Sequence, residues 1–371
     1  MHFHIRNEVR SLTSFRFIAA LYVFLFHIQI RTPVFGDGLV GGFISSGAVG
    51  MTMFFTLSGF ILSHAYHSVA IDTRAYLIAR FARIYPIYLL AAVLALPAMA
   101  HGLSAEAATT SLFHAVLAGV ILVVFGLLLI HAWLPQSFVF WNNSASWSIS
   151  VEAFFYALFP VLRNAVAGMG KRTLLMVFAF LSIISSMIPV SEIVFSNYSG
   201  GPLLFYAQPI FRLPEFIAGI VAYNLMRRIE WTLWVRNVLL TVVALGVLHV
   251  ALLGPRLPSY TLNNWLLIPA VAAALVLLYK AEKSEWRILV GAVPVWLGQI
   301  SYCFYSFQFH VLEGLRWVVP IDAIGGWTYA ALATLLLLAV SAFAHHFVEE
   351  PARLWIRRRA RRSARTTGEP A

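Results

Sequence analysis

The stretch "SLTSFRFIAALYVFLFHIQI", residues 11–30, is long and apolar enough to cross a lipid bilayer, yet it contains Arg16 and His27. Ionisable side chains inside a membrane helix are costly and usually face a protein interior or a water-filled cavity. Because Arg16 and His27 are eleven residues apart, they lie on one helix face, about 16 Å apart along the axis. Two interpretations remain open: the pair marks a polar path across the membrane, or Arg16 extends to the inner surface and His27 is a satisfied polar group near the outer one.

The whole chain has the composition of a membrane protein. Of its 371 residues, 60% are hydrophobic and 11% are charged, whereas about a quarter of a soluble domain is charged. Apolar stretches recur from end to end, which predicts an all-α, polytopic membrane helix bundle. The single cysteine, Cys303, excludes an internal disulfide and a Cys-based metal cluster, and we interpret it as a packing residue.

The distribution of positive charge decides the predicted topology. The net charge is +11, but the Lys and Arg residues lie between apolar stretches, which is typical of cytoplasmic loops rather than of a nucleic-acid site. Eleven apolar stretches would place the basic loop 163–172 and the basic C-terminus on opposite sides. If the stretch near 112–134 is re-entrant or does not cross, ten spans remain, both termini are cytoplasmic, and 21 of the 26 Lys and Arg residues lie inside. Re-entrant backbone is tolerated at membrane depth only where protein buries it or water reaches it.

The domain prediction follows from these spans. Residues 1–355 form a single membrane domain, and residues 356–371 form a basic, disordered cytoplasmic tail. The predicted spans are 13–31, 43–66, 84–100, 145–162, 173–190, 205–226, 237–253, 261–279, 293–315 and 327–348.

Two further groups of charged residues are candidates for a site. In "RFARIYP", residues 80–86, Arg80 and Arg83 form a basic rim at the predicted inner surface together with Arg74. This rim is either topological charge that also attracts anionic lipid, or a clamp for phosphate groups, which the guanidinium suits by its bidentate geometry. Glu152, in "ASWSISVEAFFYALFP", needs a partner, and either orients His27 or pairs with a buried Arg.

Other ionisable residues are expected to have structural rather than catalytic roles. Arg212 and Glu215 are three residues apart and are expected to pair on one helix face. His345 and His346 are adjacent and would point about 100° apart on a helix. That spacing is poor for a metal ion, so no metal site is predicted.

Taken in order, these motifs resemble the bacterial integral-membrane acyltransferase 3 family, which includes O-antigen, exopolysaccharide and Nod-factor O-acetyltransferases. The matching segments are "RFIAALYVFLFH" at 16–27, "GAVGMTMFFTLSGFIL" at 47–62, "RFARIYP" at 80–86, "SWSISVEAFFY" at 146–156, "FRLPEFIAG" at 211–219, "ISYCFYSFQFH" at 300–310 and "FVEEP" at 347–351.

The resemblance implies an enzyme of the bacterial inner membrane. Its donor would be cytoplasmic acyl-CoA, most often acetyl-CoA, and its acceptor a hydroxyl of an extracytoplasmic or lipid-linked glycan. The resemblance makes His27 the catalytic residue, Arg16 its partner on the donor path, and Arg80 and Arg83 contacts to the coenzyme A phosphates. Gln308 stands where the family commonly has a His, and His310 cannot replace it because two residues turn a helix by about 200°.

The expected mechanism places His27, Arg16 and Glu152 in the catalytic set. His27 acts as a general base on a sugar hydroxyl or forms an acyl-histidine, and Arg16 or Ser150 stabilises the developing oxyanion. The expected partners are acyl-CoA, a glycan acceptor and membrane lipid. A transporter and a non-catalytic scaffold of an export complex are the alternative functions.

Overall fold

The computed structural model describes residues 8–134, 146–196, 206–282, 289–319 and 321–366. The regular secondary structure of these residues is helical. A π-helical turn, His345–Glu349, connects the last two helices. The helices are α1 (Arg10–Gln29), α2 (Leu39–Ser45), α3 (Gly50–Tyr66), α4 (Thr73–Leu94), α5 (Leu96–Thr109), α6 (Leu112–Leu127), α7 (Trp147–Ala167), α8 (Lys171–Ser196), α9 (Pro209–Met226), α10 (Leu233–Leu252), α11 (Asn264–Glu282), α12 (Ala292–Val318), α13 (Ile321–Ile324), α14 (Gly326–Ala344) and α15 (Glu350–Thr366).

Eight segments of the described chain are long and apolar enough to cross a membrane. Helices α9 and α12 lie at the positions of two further predicted spans but are less apolar. Helix α9 contains Arg212 and Glu215, and α12 is rich in Gln, Ser and Tyr. The ten-span count and the cytoplasmic placement of both termini therefore stay predictions. The eight segments are Arg10–Gln29, Gly47–Tyr66, Thr73–Leu94, Trp147–Ala167, Lys171–Val190, Leu233–Leu252, Tyr260–Glu282 and Gly326–Ala360.

The third span begins earlier than the sequence indicated. We predicted residues 84–100, whereas α4 begins at Thr73 and ends at Leu94, and α5 follows as a separate helix. The Asp72 side chain caps α4 by accepting a hydrogen bond of 3.1 Å from the Ala75 N–H, which satisfies one of the free donors of the first turn. Arg80 and Arg83 are therefore inside a helix, rather than on a rim at its start.

The segment near 112–134 forms α6 and a short 3₁₀ turn, His131–Trp133. With 16 residues, α6 is about 24 Å long, and a bilayer's hydrocarbon core is about 30 Å thick. It packs against α5, and the His131 ring bonds to the Ser146 carbonyl at 3.1 Å. The length favours a segment that does not cross, but its path through the membrane stays a prediction.

The C-terminal segment is more ordered than we expected. Helix α15 covers residues 356–366 of the predicted disordered tail and packs against α4, whereas residues 367–371 lie outside the described chain. Arg is a good helix former, so a run of arginines readily extends the helix that begins at Glu350. The boundary of a single membrane domain at 355 stays a prediction.

Helix α1 occupies the centre of the bundle, where it packs against α3, α11 and α12. Small residues allow the closest approaches between helices. A Cβ atom at Gly298 would lie 2.0 Å from the Thr13 carbonyl oxygen, where α12 meets α1. Helices α3 and α9 approach equally closely, because a Cβ at Gly219 would lie 2.0 Å from the Thr56 carbonyl oxygen and one at Gly59 would lie 2.0 Å from that of Phe216. Arg16 and His27 are half-buried on this central helix.

Replacement of Gly219 by alanine should separate α3 from α9, because the new methyl group meets backbone that cannot rotate away. We expect a loss of about 1–3 kcal/mol, seen as a lower midpoint of thermal unfolding in detergent. The matched control is Gly314→Ala, because a Cβ there meets nothing within 4 Å. Equal stability of the two variants would contradict the close packing of α3 on α9.

The predicted topology places the C-terminus in the cytoplasm. A reporter fused after the last residue should therefore give a cytoplasmic signal, because an even number of spans returns the chain to its starting side. The control is the same reporter fused after residue 256, in a predicted outer loop, which should give a periplasmic signal. A periplasmic signal from the C-terminal fusion would contradict the ten-span prediction.

Candidate active site

A cavity of about 100 Å³ lies between α1, α3, α4, α7 and α12. It brings together four of the five residues that the sequence singled out, and it excludes His27. The polar residues that line it are Arg16, Ser58, Arg80, Arg83, Ser148, Glu152, Tyr156, Ser301, Tyr302 and Tyr305.

Glu152 is held inside this cavity by hydroxyl groups. It accepts hydrogen bonds from Ser58 Oγ at 3.0 Å and from the Tyr156 hydroxyl. Glu152 contacts neither His27 nor, within the described ranges, an arginine at ion-pair distance. In this structure it does not orient His27, because the two residues lie at different levels of the bundle. Its carboxylate lies in the cavity that Arg16, Arg80 and Arg83 also line.

Arg83 is held from outside the cavity by a buried carboxylate. It forms an ion pair with Glu349, which is 0% exposed. The π-helical turn brings His345 over the same carboxylate, and His345 Nδ1 lies 2.8 Å from Glu349 Oε2. Cys303 Sγ donates to the same oxygen at 3.4 Å. Arg83 is thus fixed in position by an acidic residue that is far away in the sequence.

The side chains of Cys303, His345 and Glu349 lie close enough to share a metal ion, because their ligand atoms are within 4.8 Å of one another. Arg83 already occupies one oxygen of Glu349, and a neighbouring cation opposes the binding of another. The structure therefore favours an ion-pair network here. Our expectation of no metal site stays a prediction.

Arg80 and Arg16 are the less compensated cations of the cavity. Arg80 lies over the rings of Tyr76 and Tyr156, at 5.9 and 5.7 Å from their centroids. In the part of the chain that the structure describes, neither Arg16 nor Arg80 has an ion-pair partner within 4.0 Å. Three arginines face two carboxylates, Glu152 and Glu349, so the cavity carries an excess positive charge. Such a cavity attracts anionic ligands.

His27 lies further along the α1 face that carries Arg16, about 16 Å away. Its ring contacts those of Phe26 and Phe309, at 5.0 and 5.1 Å between centroids. Arg31 donates to the His27 carbonyl oxygen at 3.1 Å, and its Nη1 lies 3.4 Å from His27 Nδ1. Glu313 holds Arg31 by an ion pair of 3.2 Å. The predicted catalytic residue is therefore next to a fixed cation.

Three residues near His27 were not predicted from the sequence to belong to the site: Arg31, Glu313 and Gln308. The signal for Arg31 was its position four residues after His27. Gln308 is 0% exposed, and its amide nitrogen and oxygen have no hydrogen-bond partner among the described residues. It lies three residues after Tyr305 of the cavity and directly before Phe309 of the His27 contact. Along α12, an unpaired amide thus lies at a level between that of the cavity and that of His27.

Ser150 has a structural position that excludes the predicted contact with an oxyanion. Its hydroxyl donates to the Leu129 carbonyl at 2.7 Å and accepts from the Ala132 N–H at 3.2 Å. It therefore anchors the turn after α6 to α7, and Leu129 has a positive φ of 58° at this anchor. The structure argues against the expectation for Ser150, because its single O–H donor is already bound to the Leu129 carbonyl.

Two other expectations from spacing agree with the structure. Arg212 and Glu215 form an ion pair of 3.0 Å and are 1% and 0% exposed, which confirms their predicted pairing. His310 bonds to the Ala91 carbonyl at 2.9 Å, so it points to α4 and not to His27. Gln308 and His310 are therefore not interchangeable.

Comparison with known proteins agrees with these observations. The family described as "Acyltransferase domain" matches residues 9–346. The acyltransferase MdmB of Streptomyces mycarofaciens is 31% identical over 391 residues, which cover 97% of this chain and 95% of that protein. No solved structure matches the chain. The seven motifs, the helical bundle and the family match agree, and the chain belongs to the acyltransferase 3 family.

Proposed function

We propose that this protein is a membrane O-acyltransferase that moves an acyl group, most often acetyl, from cytoplasmic acyl-CoA to a hydroxyl of an extracytoplasmic or lipid-linked glycan. The observation that carries the proposal is the cavity in which Arg16, Arg80 and Arg83 meet. This cavity adjoins the helix face that leads from Arg16 to His27. Membership of an acyltransferase family supplies the reaction class.

The donor enters from the predicted cytoplasmic end. Its phosphates bind at Arg80, which has no acidic partner in the described chain, while Arg83 is already paired with Glu349. The pantetheine arm passes Arg16 through the cavity and reaches the unpaired amide of Gln308. The thioester is then presented at His27. Donor and acceptor meet without passage of coenzyme A through the membrane.

The chemical step takes place at His27. One imidazole nitrogen accepts the proton of the sugar hydroxyl while the hydroxyl oxygen attacks the thioester carbonyl carbon. The tetrahedral intermediate collapses as the C–S bond breaks, and the departing thiolate of coenzyme A takes the proton from His27. Arg31, which lies 3.4 Å from His27 Nδ1, provides a fixed positive charge for the oxyanion. In the rival route, His27 itself carries the acyl group before it passes to the sugar.

His27→Ala should abolish acyl transfer and leave the fold intact. The assay measures release of coenzyme A by purified protein in nanodiscs that are given acetyl-CoA and a crude surface-glycan fraction. We expect a loss of at least about 100-fold, because the variant has no group to accept the proton.

The matched control for this variant is His310→Ala, which removes an imidazole from the same region without touching His27. It should retain acceptor-dependent release. Robust release by His27→Ala would remove His27 from the mechanism. If the wild type releases no coenzyme A with any of several acyl donors and acceptors, a transporter or a scaffold becomes the better account.

Arg80→Gln should raise the KM for acetyl-CoA about tenfold and leave kcat and the thermal midpoint unchanged. The lost interaction is a charge-assisted hydrogen bond to phosphate, and tenfold corresponds to about 1.4 kcal/mol. Arg74→Gln is the control on the same helix, because Arg74 is exposed and does not line the cavity.

Arg83→Gln should behave differently, since it leaves the buried carboxylate of Glu349 without its partner. We expect a loss of stability of about 3–5 kcal/mol, measured by thermal unfolding. An unchanged KM for acetyl-CoA in Arg80→Gln would mean that Arg80 does not bind the donor and contributes only positive charge on the cytoplasmic side. Equal stability of the Arg80 and Arg83 variants would contradict the assigned difference between them.

A further inference from the structure

A second cavity, separate from the one around Arg16, lies where α3, α7 and α9 end. It has a volume of about 210 Å³. Because α3 runs antiparallel to α1, with Gly50 against Val23, this cavity is at the end of the bundle where α1 begins and opposite to His27. The predicted topology places this end in the cytoplasm. The residues that line it include Ser63, His67, Arg163, Asn224, Arg227 and Arg228.

Three arginines surround this cavity, and none of them forms an ion pair within the described ranges. Two of them also cap helix ends: Arg163 donates to the His67 carbonyl at 3.2 Å, and Arg228 to the Ala167 carbonyl at 2.8 Å. Each helix C-terminus carries about −0.5 charge. Three helix ends therefore offset only about half of the three positive charges, and an excess positive charge remains.

The pKa of the His67 imidazole reflects the same excess positive charge. Burial, followed by the nearby guanidinium of Arg227, lowers the pKa of the His67 imidazole below its usual value. Arg163 acts in the same direction. The groups that face this imidazole are thus mostly cations, and an anion in the cavity would relieve their repulsion.

Ser63 gives an independent indication of a ligand. Its side chain is 2% exposed and lines the cavity. Its hydroxyl has no hydrogen-bond partner among the described residues. A buried polar group is nearly always paired, and leaving it unpaired is costly. A hydroxyl donor beside arginines is the arrangement that binds a phosphate oxygen.

We propose that this cavity binds a phosphate group, with Ser63 and Arg227 as donors and with Arg163 and Arg228 supplying further positive charge. The phosphate comes from one of two sources, the acyl-CoA donor or the headgroup of a phospholipid. The first source rests on the proposed function.

The position of the cavity fits the donor. Helices α3 and α7 line both cavities. Leu62 lines the first cavity and the next residue, Ser63, lines the second, so the two cavities adjoin along α3. Coenzyme A carries a pyrophosphate and a separate ribose phosphate. With the pyrophosphate at Arg80, the ribose phosphate is the group that reaches Ser63 and Arg227.

The test measures binding rather than activity. Full-length protein in nanodiscs of zwitterionic lipid is titrated calorimetrically with coenzyme A and with 3′-dephospho-coenzyme A. We expect the wild type to bind coenzyme A about tenfold more tightly, because a charge-assisted bond to phosphate is lost in the second ligand. Arg227→Gln and Ser63→Ala should each reduce this ratio to near one.

The control is Arg236→Gln, which removes a half-buried arginine of α10 that does not line the cavity. It should keep the wild-type ratio. Ser63→Ala removes only an unpaired hydroxyl, so it should fold normally. If both cavity variants keep the tenfold ratio, the cavity does not bind the donor phosphate, whereas binding of coenzyme A and the proposed function still stand.

A second arm distinguishes the lipid source. Protein purified from nanodiscs that contain phosphatidic acid is examined by native mass spectrometry for retained lipid. Retention by the wild type, lost in Arg227→Gln and Ser63→Ala, assigns the site to a lipid phosphate. If the wild type binds neither coenzyme A ligand, the proposed function fails while this arm still tests the site. The absence of a difference in both arms overturns the inference.

Discussion

The cost of an arginine inside a membrane determines the arrangement of this protein. Arg16 lies on the first helix, about three turns and about 16 Å from His27, and lipid cannot solvate it. Helix α1 is therefore surrounded by α3, α11 and α12. Gly298 permits the close contact of α12 with the Thr13 backbone. The enclosure of one charged side chain thus places α1 at the centre and creates the cavity beside it.

The buried charges fall into two groups according to how well they are compensated. Arg212 and Glu215 are paired and almost fully buried. Thr52 and Asn264 both donate hydrogen bonds to the Glu215 carboxylate, so this group is structural. Arg16 and Arg80 line an open cavity with fewer carboxylates than arginines. Full compensation would have cancelled the attraction for an anionic donor. The incomplete compensation supports the proposed binding of an anionic donor such as acyl-CoA.

The sequence predicted the features that depend on local spacing. Hydropathy predicted the helices, and the eleven-residue separation of Arg16 and His27 predicted their common face. The sequence could not predict that Glu349 pairs with Arg83, because these residues are 266 positions apart and meet through a π-helical turn. The partners of Glu152 and Ser150 were missed for the same reason, since they depend on which helices pack together. The early start of α4 depended on a cap at Asp72 that hydropathy does not register.

The central claim is that the cavity around Arg16 is the path of the acyl donor to His27. The most direct test is a cryo-electron microscopy structure of the protein with a non-hydrolysable acetyl-CoA analogue. The account predicts density for the pantetheine arm beside Arg16, with the acyl end at His27 and a phosphate at Arg80. An analogue bound outside this cavity, with its acyl end away from His27, would contradict the account.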